Sequence, residues 1–275
     1  MIKEYRKKSN APLYVLMFII AFLFLIPFIL MIMGSFTETT QLILKRGFWI
    51  PKSVYIQNYV NLFTASKFPI WLRNSLLYTI VPVATGTIIN TMVGYVLSKK
   101  RFKGRGFIFG MFLSAMLVPA QMSMVPNYLI YGEIGFLDTP FAILIPGIWS
   151  ISNMFLVRQY MMSLPDSIIE AAAIDGSGEF RTFFTIIIPM VKTPIAIMAI
   201  FATMAYWNNF MSVLIYMNST DNFNITVGLA TMVQRDGNFG AQMVGAMVAA
   251  LPIFILYIFC QKYFIEGISI AGIKA

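Results

Sequence analysis

Leu164–Pro194 reads LPDSIIEAAAIDGSGEFRTFFTIIIPMVKTP and lies between two long apolar runs. Asp166, Glu170, Asp175, Glu179, Arg181 and Lys192 interrupt its apolar residues, so it cannot cross a bilayer as a lipid-facing helix. Pro165 suits a first helical turn, where its missing N–H has no intrahelical partner to lose. Asp166 then sits at the positive end of the helix dipole. The spacing predicts a short helix over Ser167–Ile174, with Ile168, Ala171, Ala172 and Asp175 near one face. Asp175-Gly176 is a turn signal, because glycine takes a positive φ without a steric penalty. Ser177 is placed to cap a second helix, running to about Ile188 before Pro189 and Pro194. Helix, tight turn and helix make a knuckle suited to a groove on another protein. An amphipathic hairpin lying on the membrane surface is the plainer alternative.

Composition sets the surroundings of this knuckle. The chain is 59% hydrophobic and 11% charged, with mean hydropathy +0.76, which places it in the membrane class. Its net charge of +9 does not point to nucleic acid, because the bases cluster at the ends of apolar segments, where they meet lipid headgroups. There is no histidine, so no His-based acid, base or metal site exists. The single cysteine, Cys260, lies in an apolar run and excludes an internal disulfide or a paired-cysteine metal site.

Six apolar segments are expected to span the membrane: about 13–34, 75–97, 106–125, 140–157, 195–217 and 241–264. The expected organisation is an N-terminal segment 1–12, a first span 13–34, a loop 35–74, a core 75–264 carrying the knuckle at 164–194, and a tail 265–275. The basic N-terminus before a 22-residue apolar run is taken as an uncleaved first span, since no small-residue cleavage site follows. With the N-terminus cytoplasmic, the inside segments carry 14 Lys or Arg and the outside segments 6. That bias puts both termini and the knuckle in the cytoplasm. The loop 35–74 is itself basic, with Lys45, Arg46, Lys52, Lys67 and Arg73.

Pro27, Pro82, Pro119, Pro146 and Pro252 fall inside the spans and are each expected to break or bend a helix. Asn90, Gln121, Asn153, Trp207, Asn208 and Asn209 lie in or near the bilayer region. Unpaired amides cost several kcal/mol in hydrocarbon, on the order given for burial without partners, so these residues should face protein or water. Interhelical hydrogen bonding accounts for any one of them. The functional alternative is a pathway for a polar, uncharged solute, with Gln121, Asn153, Trp207, Asn208 and Asn209 as its candidates. Ionisable residues are nearly absent from the spans, which argues against a proton- or ion-coupled carrier. No GxxxxGK[ST] phosphate-binding loop occurs, so this chain does not cradle ATP in that way.

The knuckle also carries a resemblance. Glu170-Ala171-Ala172, then three residues and Gly176, then nine residues and Ile186, with Pro189 three positions beyond, are similar to the EAA loop of bacterial ABC importer permeases. Ile188 stands where that pattern usually has Leu. Asn58-Tyr59, Phe68 with Trp71, Asn74-Ser75, Arg101-Phe102-Lys103-Gly104-Arg105, Trp207-Asn208-Asn209-Phe210 and the ending Gly267…Ala271-Gly272-Ile273-Lys274 resemble the carbohydrate-uptake permeases of the MalG type. That family often has Glu where this chain has Asn209. The resemblance covers the chain from about residue 10 onward.

It implies an all-α polytopic protein with six transmembrane helices and the type I ABC importer permease fold, in the bacterial cytoplasmic membrane. It implies a transport subunit without its own ATPase site, moving a sugar or oligosaccharide by alternating access. Implied partners are a second, homologous permease, an ABC ATPase dimer carrying the ATP and Mg, an extracytoplasmic sugar-binding protein, and lipid. This chain binds no cofactor, no metal and no nucleic acid on that view. Glu170, Ala171, Ala172, Asp175, Gly176 and Pro189 would couple to the ATPase, and Gly272, Ile273 and Lys274 in the tail would contact it. The polar segment 218–240 would reach into the binding protein. Permeases for glycerol phosphate or a polyamine, and a secondary transporter, are the alternatives. Neither the basic nor the acidic residues that the first two need are seen in the spans.

Overall fold

The computed structural model describes residues 11–44 and 54–272, and every regular element among them is helical. In chain order they are α1 (Ala11–Ser35), α2 (Thr39–Leu44), α3 (Gln57–Thr64), α4 (Phe68–Lys99), α5 (Arg105–Met116), α6 (Met124–Glu133), α7 (Phe141–Gly147), α8 (Ile151–Met162), α9 (Ser167–Ile174), α10 (Glu179–Thr182), α11 (Ile188–Met190), α12 (Lys192–Trp207), α13 (Met211–Tyr216), α14 (Ile225–Asp236) and α15 (Phe239–Gly272). Four segments are long and apolar enough to cross a membrane alone: Pro12–Ser35, Phe68–Lys99, Phe141–Met162 and Phe239–Tyr263. Two bent pairs, Arg105–Met116 with Ala120–Glu133 and Glu179–Met190 with Lys192–Trp207, bring the number to six if each is one span.

The chain divides into two compact units. The first joins the chain up to Ser66 with Leu229–Leu251. Its α1 is apolar all round and exposed along most of its length, as a lipid-facing helix requires. At the end of α1, the buried Asn58 amide donates to the Ser35 and Thr37 carbonyls at 3.0 and 2.8 Å. Asn238 caps α15, its Oδ1 accepting from the Ala241 N–H and from the Thr39 hydroxyl.

The second unit holds Lys67–Gly228 and the chain from Pro252. Its centre is α4, packed against α8 and α12. Near one end of α4, side chains bind the backbone of residues 220–225. Trp71 Nε1 donates to the Thr220 carbonyl at 2.8 Å, Asn74 Nδ2 to Asp221 and Phe223, and the Tyr78 hydroxyl to Asn222. Asp138 joins the same group from its own loop, with φ +57°. Its carboxylate accepts from the Asn218 and Ser219 N–H groups, the Ser219 hydroxyl and the Asn222 amide. Burial alone would push the Asp138 carboxyl up, but these hydrogen bonds outweigh it and hold it below the ordinary carboxylate range.

Several expectations need correcting. The second span begins at Phe68, seven residues early, because Pro69 opens the helix inside the stretch taken as loop. Pro27, Pro82 and Pro252 lie inside unbroken helices. Pro119 alone of the five falls in a sharp break, where the chain turns by 91°, and Pro146 stands one residue before α7 ends. The fifth span stops at Trp207, and a break at 208–210 separates it from α13. Residues 218–240 are not one open loop. They contain a 3-10 turn and α14, whose start is capped by Asn224 Oδ1 accepting from the Val227 N–H. Residues 265–272, expected to be a tail, continue α15 without interruption.

One packing contact gives a direct test. A Cβ on Gly228 would fall within the Trp71 ring, and Trp71 is itself pinned to Thr220. We expect Gly228→Ala to destabilise the protein by about 1–3 kcal/mol through overpacking. Its melting temperature in detergent should drop while Gly106→Ala, whose Cβ meets nothing within 4 Å, stays at wild type.

Candidate functional site

The knuckle forms as a helix pair whose turn is set by one residue. Gly176 has φ +75°. The Ser177 N–H reaches the Ala172 carbonyl at 2.9 Å and the Gly176 N–H the Ala173 carbonyl at 3.1 Å. These two bonds satisfy carbonyls that α9 would otherwise leave open at its C-terminus. Ser177 does not cap the second helix. Gly178 holds the cap position, and Ser177 instead accepts from the Thr182 hydroxyl at 3.0 Å. Pro165 lies ahead of α9, not in its first turn. The second helix also passes through Pro189. A π-turn over Phe183–Ile187 precedes it, closed by the Ile188 N–H on the Phe183 carbonyl. Proline at 189 removes an N–H and crowds the carbonyl four residues back, and a wider turn relieves both. The chain then bends by 80° between Glu179–Met190 and α12.

The two sides of the knuckle differ. Inward, Phe183, Ile187 and Val191 pack with Tyr95, Val157, Met161 and Met198, and Ala172 is buried. Outward, Ile174 is 86% and Phe180 71% exposed. Glu170, Ala171, Asp175, Gly176 and Pro189 are exposed as well. Among the residues expected to couple, only Ala172 faces the interior.

Two ion pairs tie the knuckle to the end of α4. Lys99, whose side chain is 3% exposed, reaches Asp166 Oδ1 at 2.7 Å and donates to the Leu164 carbonyl. Asp166 therefore spends its carboxylate on Lys99 and makes no side-chain cap on α9. The Lys99 hydrogen bond, backed by its charge, holds the Asp166 carboxyl below its ordinary value of 3.8. A depressed carboxylate makes its contribution above pH 3.8 and loses it as pH falls through the depressed value, so this tether is intact at neutral pH. Lys100 pairs with Glu179 and lies 5.2 Å from the centre of the Tyr95 ring. Neither lysine stands out in the sequence, where both open the basic run Lys99-Lys100-Arg101-Phe102-Lys103-Gly104-Arg105.

The pathway candidates are scattered. Asn209 lines a cleft of about 280 Å³ together with Ser123, Asn127, Tyr131, Tyr206, Ser212 and Tyr216. Gln121 is exposed in the 3-10 turn after Pro119. Asn153 is half-buried in the first turn of α8, its N–H capped by Ser150. Trp207 is 4% exposed. Asn208 turns its amide back on the Met204 carbonyl at 2.9 Å. None of these four is among the residues lining the cleft. Asn90, also singled out, repairs a break instead: its Oδ1 accepts from the Ser150 N–H and its Nδ2 donates to Gly86. Of the tail residues, Gly272 ends α15, while Ile273 and Lys274 lie outside the described residues.

Known proteins are similar to this chain in sequence and in fold. Residues 86–269 match the family model described as the binding-protein-dependent transport system inner membrane component. The arabinooligosaccharides transport system permease protein AraQ of Halalkalibacterium halodurans is 34% identical over 260 residues, covering 93% of each chain. The lactose transport system permease protein LacG of Rhizobium radiobacter is 28% identical over 95% of this chain and 96% of its own. In fold, the chain is similar to one from a bacterial ABC transporter involved in the import of the acidic polysaccharide alginate. The TM-score is 0.84 at 24% identity, over 94% of this chain and 99% of the other.

The turn at Gly176 can be tested without a partner. A β-branched residue at φ +75° carries about 1–3 kcal/mol of strain. We expect Gly176→Val to loosen the knuckle, so that trypsin cuts after Arg181 faster than in wild type. Gly178→Ala, at a φ of −69°, should leave the cleavage rate unchanged.

Proposed function

The chain belongs to the family of binding-protein-dependent transport system inner membrane components, and from that membership we propose how its parts serve transport. It is a membrane-embedded permease subunit of an ABC importer that takes a sugar or oligosaccharide from a solute-binding protein. Relatives named for arabinooligosaccharides, lactose and diacetylchitobiose support a saccharide cargo. The absence of Asp, Glu, Lys and Arg among the described residues of the cleft lining speaks against glycerol phosphate and polyamines, each of which needs a counter-charge.

The observation that carries the coupling proposal is the outward face of the knuckle. Ile174 and Phe180 stand exposed beside the Glu170-Ala171-Ala172…Gly176 pattern, on a helix pair too polar to sit in lipid. An apolar surface of this kind fits a groove on a soluble partner. On this proposal the partner is an ABC ATPase dimer that binds the ATP and Mg, and ATP-driven closure passes through α9–α11 into α4 and α12. This chain is then the transport component, with no hydrolytic site of its own. The bias of Lys and Arg supports cytoplasmic termini and a cytoplasmic knuckle. A second, homologous permease completes the pathway, and the end of α15 with Gly272, Ile273 and Lys274 reaches the ATPase.

Deleting the gene should abolish uptake of at least one saccharide, measured with radiolabelled sugars. Placing a charge on the outer face separates docking from folding. We expect Ile174→Asp with Phe180→Asp to insert normally but to lose about tenfold or more in co-purified ATPase, since hot-spot residues each carry more than the energy of a tenfold change. Undiminished ATPase recovery would remove the knuckle as the docking element.

A further inference from the structure

We propose that the cleft beside Asn209 is a subsite for one ring of a neutral saccharide, so that this chain itself contacts the cargo; this rests on the saccharide permease assignment above.

The cleft forms where helices break. It is lined by Ala120 and Ser123 just after the break at Pro119, by Pro146 and Gly147 just before the one at 148–150, and by Asn209 within the one at 208–210. All three breaks interrupt segments apolar enough for the bilayer or follow directly on one. Non-helical backbone at such depth persists only where it is buried in protein or lines a water-filled cavity. Two of the breaks are partly repaired from within, by the Tyr206 hydroxyl donating to the Gly147 carbonyl at 2.9 Å and by Asn224 donating to the Asn209 carbonyl at 2.6 Å. The repaired breaks border a recess of about 280 Å³.

Its lining suits a sugar. The rings of Tyr131 and Tyr216 meet edge to face at 5.1 Å, and aromatic surface suits the C–H face of a pyranose or furanose. Ser123, Asn127, Asn209 and Ser212 supply hydroxyls and amides for its rim of OH groups. Asn209 Oδ1 accepts from the Ser212 N–H, which orients the side chain and leaves its amide N–H groups for a ligand. A volume of about 280 Å³ lies at the small end of ligand pockets, enough for a ring and not for a chain. No charged side chain lines it among the described residues. A uronate or phosphate there would have to shed water without a cation to receive it.

The test is uptake in the native host, with the chromosomal gene deleted or replaced and with radiolabelled arabinotriose, lactose, diacetylchitobiose and trigalacturonate as probes. If deletion removes uptake of no saccharide, the saccharide assignment fails and takes the subsite with it. If it removes trigalacturonate uptake alone, the assignment survives and the neutral subsite is overturned. Where a neutral sugar is lost, two variants follow: Ser123→Ala/Asn127→Leu/Ser212→Ala, which strips the polar rim, and Ser212→Phe, which fills the cleft. We expect the maximal uptake rate of each to fall about tenfold or more, the effect of losing several hydrogen bonds to a cargo in passage. The half-saturating sugar concentration should not move, because the binding protein sets it, and protein abundance should not change. Ser212→Thr, which keeps the hydroxyl, should hold the maximal rate near wild type where Ser212→Phe lowers it. Unchanged maximal rates in both variants would overturn the proposal. So would losses that merely follow abundance, since those mark a structural role.

Discussion

A backbone interrupted inside hydrocarbon has to find its hydrogen bonds within the protein, because no water is there to supply them. That constraint organises the second unit. Asn90, held on α4 by the Gly86 carbonyl, accepts from the Ser150 N–H at the break in the fourth span. Tyr206 covers the freed Gly147 carbonyl, and Asn224 covers that of Asn209 while also capping α14. Asn90, Tyr206 and Asn224 are thereby each matched to an irregularity in the backbone nearby. The same irregularities open the cleft lined by Asn209, Tyr131 and Tyr216, so backbone repair and the proposed cargo subsite share one cause.

The knuckle depends on a different balance. Its inner residues are held by apolar packing around Phe183, Ile187 and Tyr95, and its two helices are tied separately to the end of α4 by Asp166–Lys99 and Glu179–Lys100. Lys99 is nearly enclosed, where an unpaired ammonium would be costly, so its partners are strongly preferred. The Lys100 pair is more exposed and correspondingly weaker. The two pairs thus join α9 and α10 to the end of α4, which packs in turn against α8 and α12.

Much was legible from residues alone. The apolar runs announce the membrane class, the segment 164–194 is too charged to join them, and Asp175-Gly176 demands a left-handed turn that the backbone at Gly176 adopts. The helix Ser167–Ile174 agrees with its expected bounds at both ends. Misses have local reasons. Asn224-Ile225-Thr226-Val227 begins with an N-cap but continues in β-branched residues, which disguised α14 as loop. Proline inside Pro27, Pro82 and Pro252 contexts was given too much power to interrupt, because long apolar helices tolerate it.

Amino-acid sequence by itself determined the class of the chain, the position and turn of the knuckle and the scarcity of charge in the apolar runs, since each depends on composition or on contacts a few residues apart. It could not separate Asn209, which lines the cleft, from Asn208, which folds back on its own helix, although the two are adjacent. Nor could it tell that Lys99 is buried and Lys103 exposed within one basic run. Only the tertiary structure decided these, because partners far away in the chain set them: Asn224 holds the Asn209 backbone in its break, and Leu164 with Asp166 hold the Lys99 side chain.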